Sequence, residues 1–216
     1  QFDNAKQVFE QAKMQGVDEV KLDSLEAQLS TKSTKLNTAI NIPPQEQLKS
    51  LLEHYQKGQF GYAEKLARSI SQEFPQHQYS WKVLGAILGA TGRNAEALHV
   101  CQTAVELSPQ DGEAHNNLGI IMKELGRLDE AEASYTKALE LKPDFAQAHY
   151  NLGVILQKFV RLNEAEASYT KALELKPDFA EAHNNFGITL KELGRLDEAE
   201  ASYIKALRLK PNYAEA

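Results

Sequence analysis

The stretch AEASYTKALELKPDFA, residues 131–146, returns without a single change at residues 165–180. Chance composition does not write the same sixteen residues twice at an interval of 34. The interval extends outward in both directions, because Pro75, Pro109, Pro143, Pro177 and Pro211 are each 34 residues apart. The chain is therefore a repeat array. Each unit of such an array buries its apolar face only against its neighbours, so the fold is decided by what one unit forms.

Within Gly112 to Pro143 the apolar residues fall at a period near 3.6 and divide into two runs. Ala114, Leu118, Ile121 and Leu125 form one stripe, and Gly126 then supplies a left-handed stop. Leu128, Ala131, Tyr135, Ala138 and Leu139 form a second stripe, which ends before Pro143, whose ring cannot continue a helix. The spacing predicts a helix hairpin. Helix starts are expected at Asp129, Asn163, Asp197, Asp144 and Asp178, each followed three residues later by Glu or Gln as in a capping box. Val160 stands where other units have Gly58, Gly92, Gly126 and Gly194, and a β-branched residue in a left-handed turn costs on the order of 1 kcal/mol.

These residues resemble the tetratricopeptide-repeat family, whose 34-residue unit carries a large residue, Leu-Gly, Ala, an aromatic, Ala and Pro. Leu-Gly stands at Leu84-Gly85, Leu118-Gly119 and Leu152-Gly153, with Phe186-Gly187 as a variant. The later trio is Ala97, Cys101 and Ala104, then Ala131, Tyr135 and Ala138, Ala165, Tyr169 and Ala172, and Ala199, Tyr203 and Ala206. The resemblance implies an all-α, right-handed superhelical solenoid of antiparallel helix hairpins. Five repeats are expected over 42–211, at 42–75, 76–109, 110–143, 144–177 and 178–211. The first is degenerate, with Ser50 and Leu51 in the Leu-Gly position.

Upstream, Phe2, Ala5, Phe9 and Ala12 read as the second helix of a preceding repeat over 1–16, but they break the 34-residue register with Phe60. Residues 17–41 read as an additional helix and a polar linker, and 212–216 as the start of a further repeat. The apolar stripe Leu196, Tyr203 and Leu207 leaves two expectations for the ends: a segment of a longer protein, which is favoured, or end-to-end self-association.

Composition narrows the function. The formal net charge is −6, with both signs interspersed, so no basic face is on offer to nucleic acid. No apolar run approaches the roughly 20 residues of a membrane span. The single cysteine, Cys101, has no internal disulfide partner and suits a reducing compartment, which makes a cytoplasmic location the expectation and an extracellular one the alternative. Phosphate-loop, nucleophile-elbow and zinc-protease motifs are missing, so no enzyme activity and no cofactor are expected. His115, His149 and His183 recur at the repeat interval, yet hairpins stack about 10 Å apart, whereas two nitrogens on one zinc lie within about 4 Å. No metal site is expected. The rings instead occupy the position of Trp81, the family's large residue.

Asn117, Asn151 and Asn185 form a row at the same interval, in mid-helix, where Asn costs about 0.5 kcal/mol relative to Ala. In the family that position faces the concave surface. An amide carries both donors and an acceptor and can hold the backbone of one extended peptide residue. Three extended residues advance about 10 Å, close to one repeat. The row, with the run HNNLG, is similar to the repeat arm of the O-linked N-acetylglucosamine transferases, which implies contact with polypeptide. Asn116, Tyr150 and Asn184 are the neighbouring candidates, with Glu113, Gln147 and Glu181 a turn earlier. A duplicated accident would leave the same row. The family's clamp for acidic C-terminal tails is not matched, because its slots hold Leu48 and Leu52, Lys82 and Ala86, or Asn116 and Ile120. The expectation is a protein-interaction scaffold that binds extended peptide. A substrate-presenting arm of a glycosyltransferase or sulfotransferase and a self-assembling rod are the alternatives.

Overall fold

The structure of the protein, a computed structural model, describes residues 42–211. The expectations for 1–16, 17–41 and 212–216 lie outside the described residues. Ten helices and no strand occur among them. They run as five antiparallel pairs: α1 (Gln45–Gln56) with α2 (Phe60–Glu73), α3 (Gln78–Ala90) with α4 (Asn94–Leu107), α5 (Gly112–Glu124) with α6 (Leu128–Leu141), α7 (Ala146–Lys158) with α8 (Leu162–Leu175), and α9 (Ala180–Glu192) with α10 (Leu196–Leu209). None of the described helices is long and apolar enough to cross a membrane.

Small residues set the spacing within a pair. Ala131 and Ala138 of α6 are completely buried, as are Ala165 and Ala172 of α8, and the ring of Tyr135 fills the space over Gly119. Cys101 replaces the ring in the second pair and lies over Gly85. Burial among apolar atoms pushes its thiol up to about 12, so it packs as a small hydrophobe.

Each pair turns at a left-handed residue. Gly126 has φ 76°, its N–H bonds the Lys123 carbonyl at 3.0 Å, and the Arg127 N–H bonds Met122 at 2.9 Å, which together make a Schellman stop. Val160 adopts φ 58° and makes the same two bonds, Val160 N–H to Gln157 and Arg161 N–H to Leu156, both at 2.9 Å. The flanking helices hold the turn in its left-handed form although the residue is β-branched.

The expected capping boxes are not formed. The second helices begin one residue before Asp129, Asn163 and Asp197, with Arg127, Arg161 and Arg195 at the cap, and Asp144 and Asp178 lie one residue outside the caps Phe145 and Phe179. In the second helices the Schellman turn delivers the chain directly into helical geometry, so Asp129 and Asp197 sit inside the first turn and complement the helix dipole instead. Arg127 Nε and Nη2 each bond Glu130 at 2.6 Å, fastening the first turn from outside. Among the described helices only α5 has a side-chain cap, Asp111, which accepts from the N–H groups of Glu113 and Ala114.

The stacking of pairs defines an inside and an outside. Consecutive first helices approach each other backbone to backbone, while consecutive second helices among the described residues do not; Arg68 of α2 reaches Glu96 of α4 only through its long side chain. The odd-numbered helices are therefore the inner, shorter course of the curve, and the stack is superhelical. Its concave wall is made of α1, α3, α5, α7 and α9.

Candidate binding groove

The histidines occupy the tryptophan position as structural rings. Trp81 Nε1 donates to the Pro75 carbonyl at 2.9 Å, and the Nε2 atoms of His115, His149 and His183 lie 3.0, 2.9 and 3.0 Å from the carbonyls of Pro109, Pro143 and Pro177. A carbonyl only accepts, so each imidazole carries its proton on Nε2. Each ring ties a first helix to the turn that precedes it.

The asparagines on the concave wall fall into two behaviours. Asn117 is half-buried, lines the groove and makes no side-chain hydrogen bond among the described residues. Asn151 is 5% exposed, and its Nδ2 donates to Oδ1 of Asn116, itself 3% exposed, at 2.9 Å across the repeat boundary. Its own Oδ1 accepts from Gln147 Nε2 at 3.3 Å. Further along, Asn184 Nδ2 donates to Asn185 Oδ1 at 3.2 Å, and Asn185 Nδ2 donates to the Tyr150 hydroxyl at 3.2 Å. The Tyr150 ring also packs 4.8 Å from that of Phe179. Four of the six sequence candidates, Asn116 with Asn151 and Tyr150 with Asn185, thus join neighbouring repeats to each other, Asn184 bonds Asn185 within its own helix, and Asn117 keeps its amide open to the groove.

Each bridging amide still has capacity. An Asn side chain has two N–H donors, and Asn151 and Asn185 each use one on a neighbouring repeat. Ile120, Val154 and Ile188 follow the asparagines by three residues, on the same helix face, and are half-exposed. The concave wall is thus a row of amides beside a row of aliphatic side chains.

Toward α1 the wall changes character. A cavity of about 260 Å³ opens there, bounded by Leu52 and Tyr55 of α1, Tyr79, Lys82, Val83 and Ala86 of α3, Glu113 and Asn117 of α5, and Phe145 before α7. Lys82 Nζ is 3.0 Å from both Asp111 Oδ2 and Glu113 Oε2, and Lys142 Nζ is 3.1 Å from Glu113 Oε1. Gln78 Nε2 adds a bond to Asp111 at 2.6 Å. Hydrogen bonds from Lys82 hold the Glu113 carboxyl below its usual range. For Asp111, burial works in the opposite direction but is outweighed by Gln78 and Lys82, so its pKa is also lowered. Burial raises the Tyr79 phenol, which stays protonated.

Sequence reading did not find this cavity. Tyr79 and Val83 stand at the repeat positions of Glu113 and Asn117, so the signal was the interruption of the asparagine row by two apolar residues. Tyr55 and Phe145 gave no such signal, since they come from a degenerate repeat and from a turn.

Comparison with known proteins agrees with the fold. Family models described as tetratricopeptide repeat match residues 48–112, 100–133, 146–179 and 168–201, and one described as TPR repeat matches 121–158. Together they run without a gap from 48 to 201. Among solved structures, TTC0263, a thermophilic TPR protein in Thermus thermophilus, is 26% identical with a TM-score of 0.66, covering 78% of this chain and 92% of that one. MamA is 24% identical with a TM-score of 0.63, over 76% and 96%. YrrB, a TPR protein with an unusual peptide-binding site, is 19% identical with a TM-score of 0.62, over 86% and 94%. Among curated proteins none matches the sequence.

Proposed function

The chain belongs to the tetratricopeptide-repeat family, and from that premise we propose that it is a non-catalytic scaffold whose concave wall binds an extended segment of a partner protein. The observation that carries this reading is Asn117, a mid-helix amide open to the groove with no partner among the described residues. Asn151 and Asn185 continue the row, each with one N–H unspent; Asn116 and Tyr150 hold them in place across the repeat boundaries, and Asn184 holds Asn185 from within the same helix. A peptide laid along the wall exchanges backbone hydrogen bonds with the amides and rests its side chains on Ile120, Val154 and Ile188. The bridging amides are already oriented, so little side-chain entropy is lost on binding. The solved structure of YrrB, by its own description a peptide-binding repeat protein, supports the same use of the fold.

Photo-crosslinking tests it. A benzophenone amino acid placed at Ile120, in the groove, is expected to capture partner chains that the same probe at Thr136, exposed on the outer helix α6, does not. Adding Asn117→Ala is expected to reduce capture from Ile120. Equal yields from the two positions would remove the groove reading.

A second reading is favoured by the HNNLG run: the array presents substrate polypeptides to a glycosyltransferase or sulfotransferase domain of a longer protein. It predicts that the chains captured at Ile120 carry the modification such a domain installs.

A further inference from the structure

Where the asparagine row stops, at Val83, the groove becomes a cup with an apolar floor. Tyr55, Tyr79, Val83, Ala86 and Phe145 surround the cavity of about 260 Å³, and Asn117 stands at its lip. This volume is below the roughly 300 Å³ at which drug-sized ligand sites begin, so the cup suits one side chain rather than a cofactor.

Its charged wall is already balanced. Lys82 is shared between Asp111 and Glu113, and the second oxygen of Glu113 is taken by Lys142, so two cations face two carboxylates. An acidic side chain entering the cup meets Glu113 on its wall, beside Lys82, whose charge is already matched by Asp111 and Glu113. A basic one gives up its hydration against tyrosine and valine and finds both carboxylates engaged. An apolar side chain has neither cost and gains by leaving water.

Building on the groove reading, we propose that this cup is its specificity pocket. It takes one large apolar side chain, aromatic or leucine-like, from an uncharged extended segment of a partner protein. The Asn117 amide bonds the backbone at or beside that residue. The amide row then supplies affinity that does not depend on sequence, and the cup supplies the choice. Burying such a side chain corresponds to about tenfold to a hundredfold in affinity over alanine.

The test uses the intact chain, labelled with ¹⁵N, and capped peptides of the form Gly-Ser-Asn-X-Asn-Ser-Gly, where X is Trp, Leu, Ala, Glu or Lys. Titrations followed at the Asn117 side-chain amide and at backbone signals of α3 and α5 are expected to show the Trp and Leu peptides binding at least about tenfold tighter than the other three. Ala86→Glu, which places a carboxylate in the cup, and Tyr79→Ala, which removes part of its wall, are each expected to bring the Trp and Leu peptides down to the level of the Ala peptide. Circular dichroism confirms the helices of both variants. Peptides that bind the concave wall with the same affinity whatever X is, or an unaltered preference in either folded variant, overturn the cup and leave the groove standing. Absence of any shift on the concave wall with all five peptides overturns both.

Discussion

Tyr135 lies so close over Gly119 that a Cβ built on the glycine would be 2.7 Å from the ring carbon Cε1. A Cβ built on Gly153 or Gly187 would lie at the same distance from Cε1 of Tyr169 or Tyr203, and in the second pair a Cβ on Gly85 would meet Cys101 Sγ at 2.5 Å. The Leu-Gly signature and its Phe-Gly variant are therefore a contact requirement repeated in each of the last four hairpins. Gly119→Ala gains about 1 kcal/mol in helix propensity but overpacks a completely buried ring, at about 1–3 kcal/mol or more. The expected result is a lower melting temperature, by a few degrees for an array of this size. A thermal melt that shows no change or a rise would contradict so close an approach.

Tyr135 and Tyr169 lie in nearly identical helices, yet their hydroxyls have different surroundings. Tyr169 donates to Gln157 Oε1 at 3.1 Å, whereas the buried Tyr135 hydroxyl has no hydrogen-bond partner among the described residues. The cause is one substitution: Lys123 stands where the later repeat has Gln157, and an ammonium group cannot accept a proton. Tyr169→Phe is thus expected to cost about 1 kcal/mol, while Tyr135→Phe is neutral or stabilising. Chemical denaturation of the two variants checks the sign of the difference.

Val160, 74% exposed at φ 58°, pays for its left-handed turn without any buried contact to offset it. Val160→Gly relieves on the order of 1 kcal/mol of steric cost, partly cancelled by the greater backbone freedom of glycine in the unfolded chain. A rise in melting temperature of about 1–3 °C is expected. Val160→Asn should move the same way, since Asn tolerates this region better than a β-branched residue. If neither variant is more stable, the strain is being absorbed elsewhere in the α7–α8 turn.

The helix pairs and their left-handed turns were legible because each depends on residues close in sequence: Gly126 stops one helix, Pro143 ends the next, and 3.6-residue spacing gives the buried stripe. The helix starts differ from the expectation because Asp or Asn followed three residues later by Glu or Gln is compatible with more than one register. Only the Schellman turn and the Arg127 to Glu130 pair select between them. The asparagines were legible as a row but not as two kinds of asparagine. The bond from Asn151 to Asn116 spans 35 residues, and its formation depends on how one repeat is rotated against the next. The cup needed three first helices and a turn to come together, a packing result that no local pattern contains.

The Lys82 cluster makes stability depend on acid in a defined window. Asp111 and Glu113 have folded pKa values below their ordinary values of 3.8 and 4.5. A carboxyl that is more acidic when folded binds fewer protons in the native state than in the unfolded chain. Its contribution is therefore complete above the unfolded value and is lost as the pH falls through the folded one. Melting temperatures should be flat from neutrality to about pH 5 and drop below about pH 4. Lys82→Met removes the cation that holds both groups down, so the variant should be less stable than the parent at pH 7 and lose less on further acidification. The exposed Arg-Glu pairs of the outer turns also titrate, but equally in both proteins, and they are weakened by salt. The Lys82 pair is partly buried and less screened, so the difference between parent and variant should persist in 1 M salt on the order of its low-salt size. Parallel acid profiles for the two proteins would show that the cluster is ordered in the groove without contributing to the stability of the array.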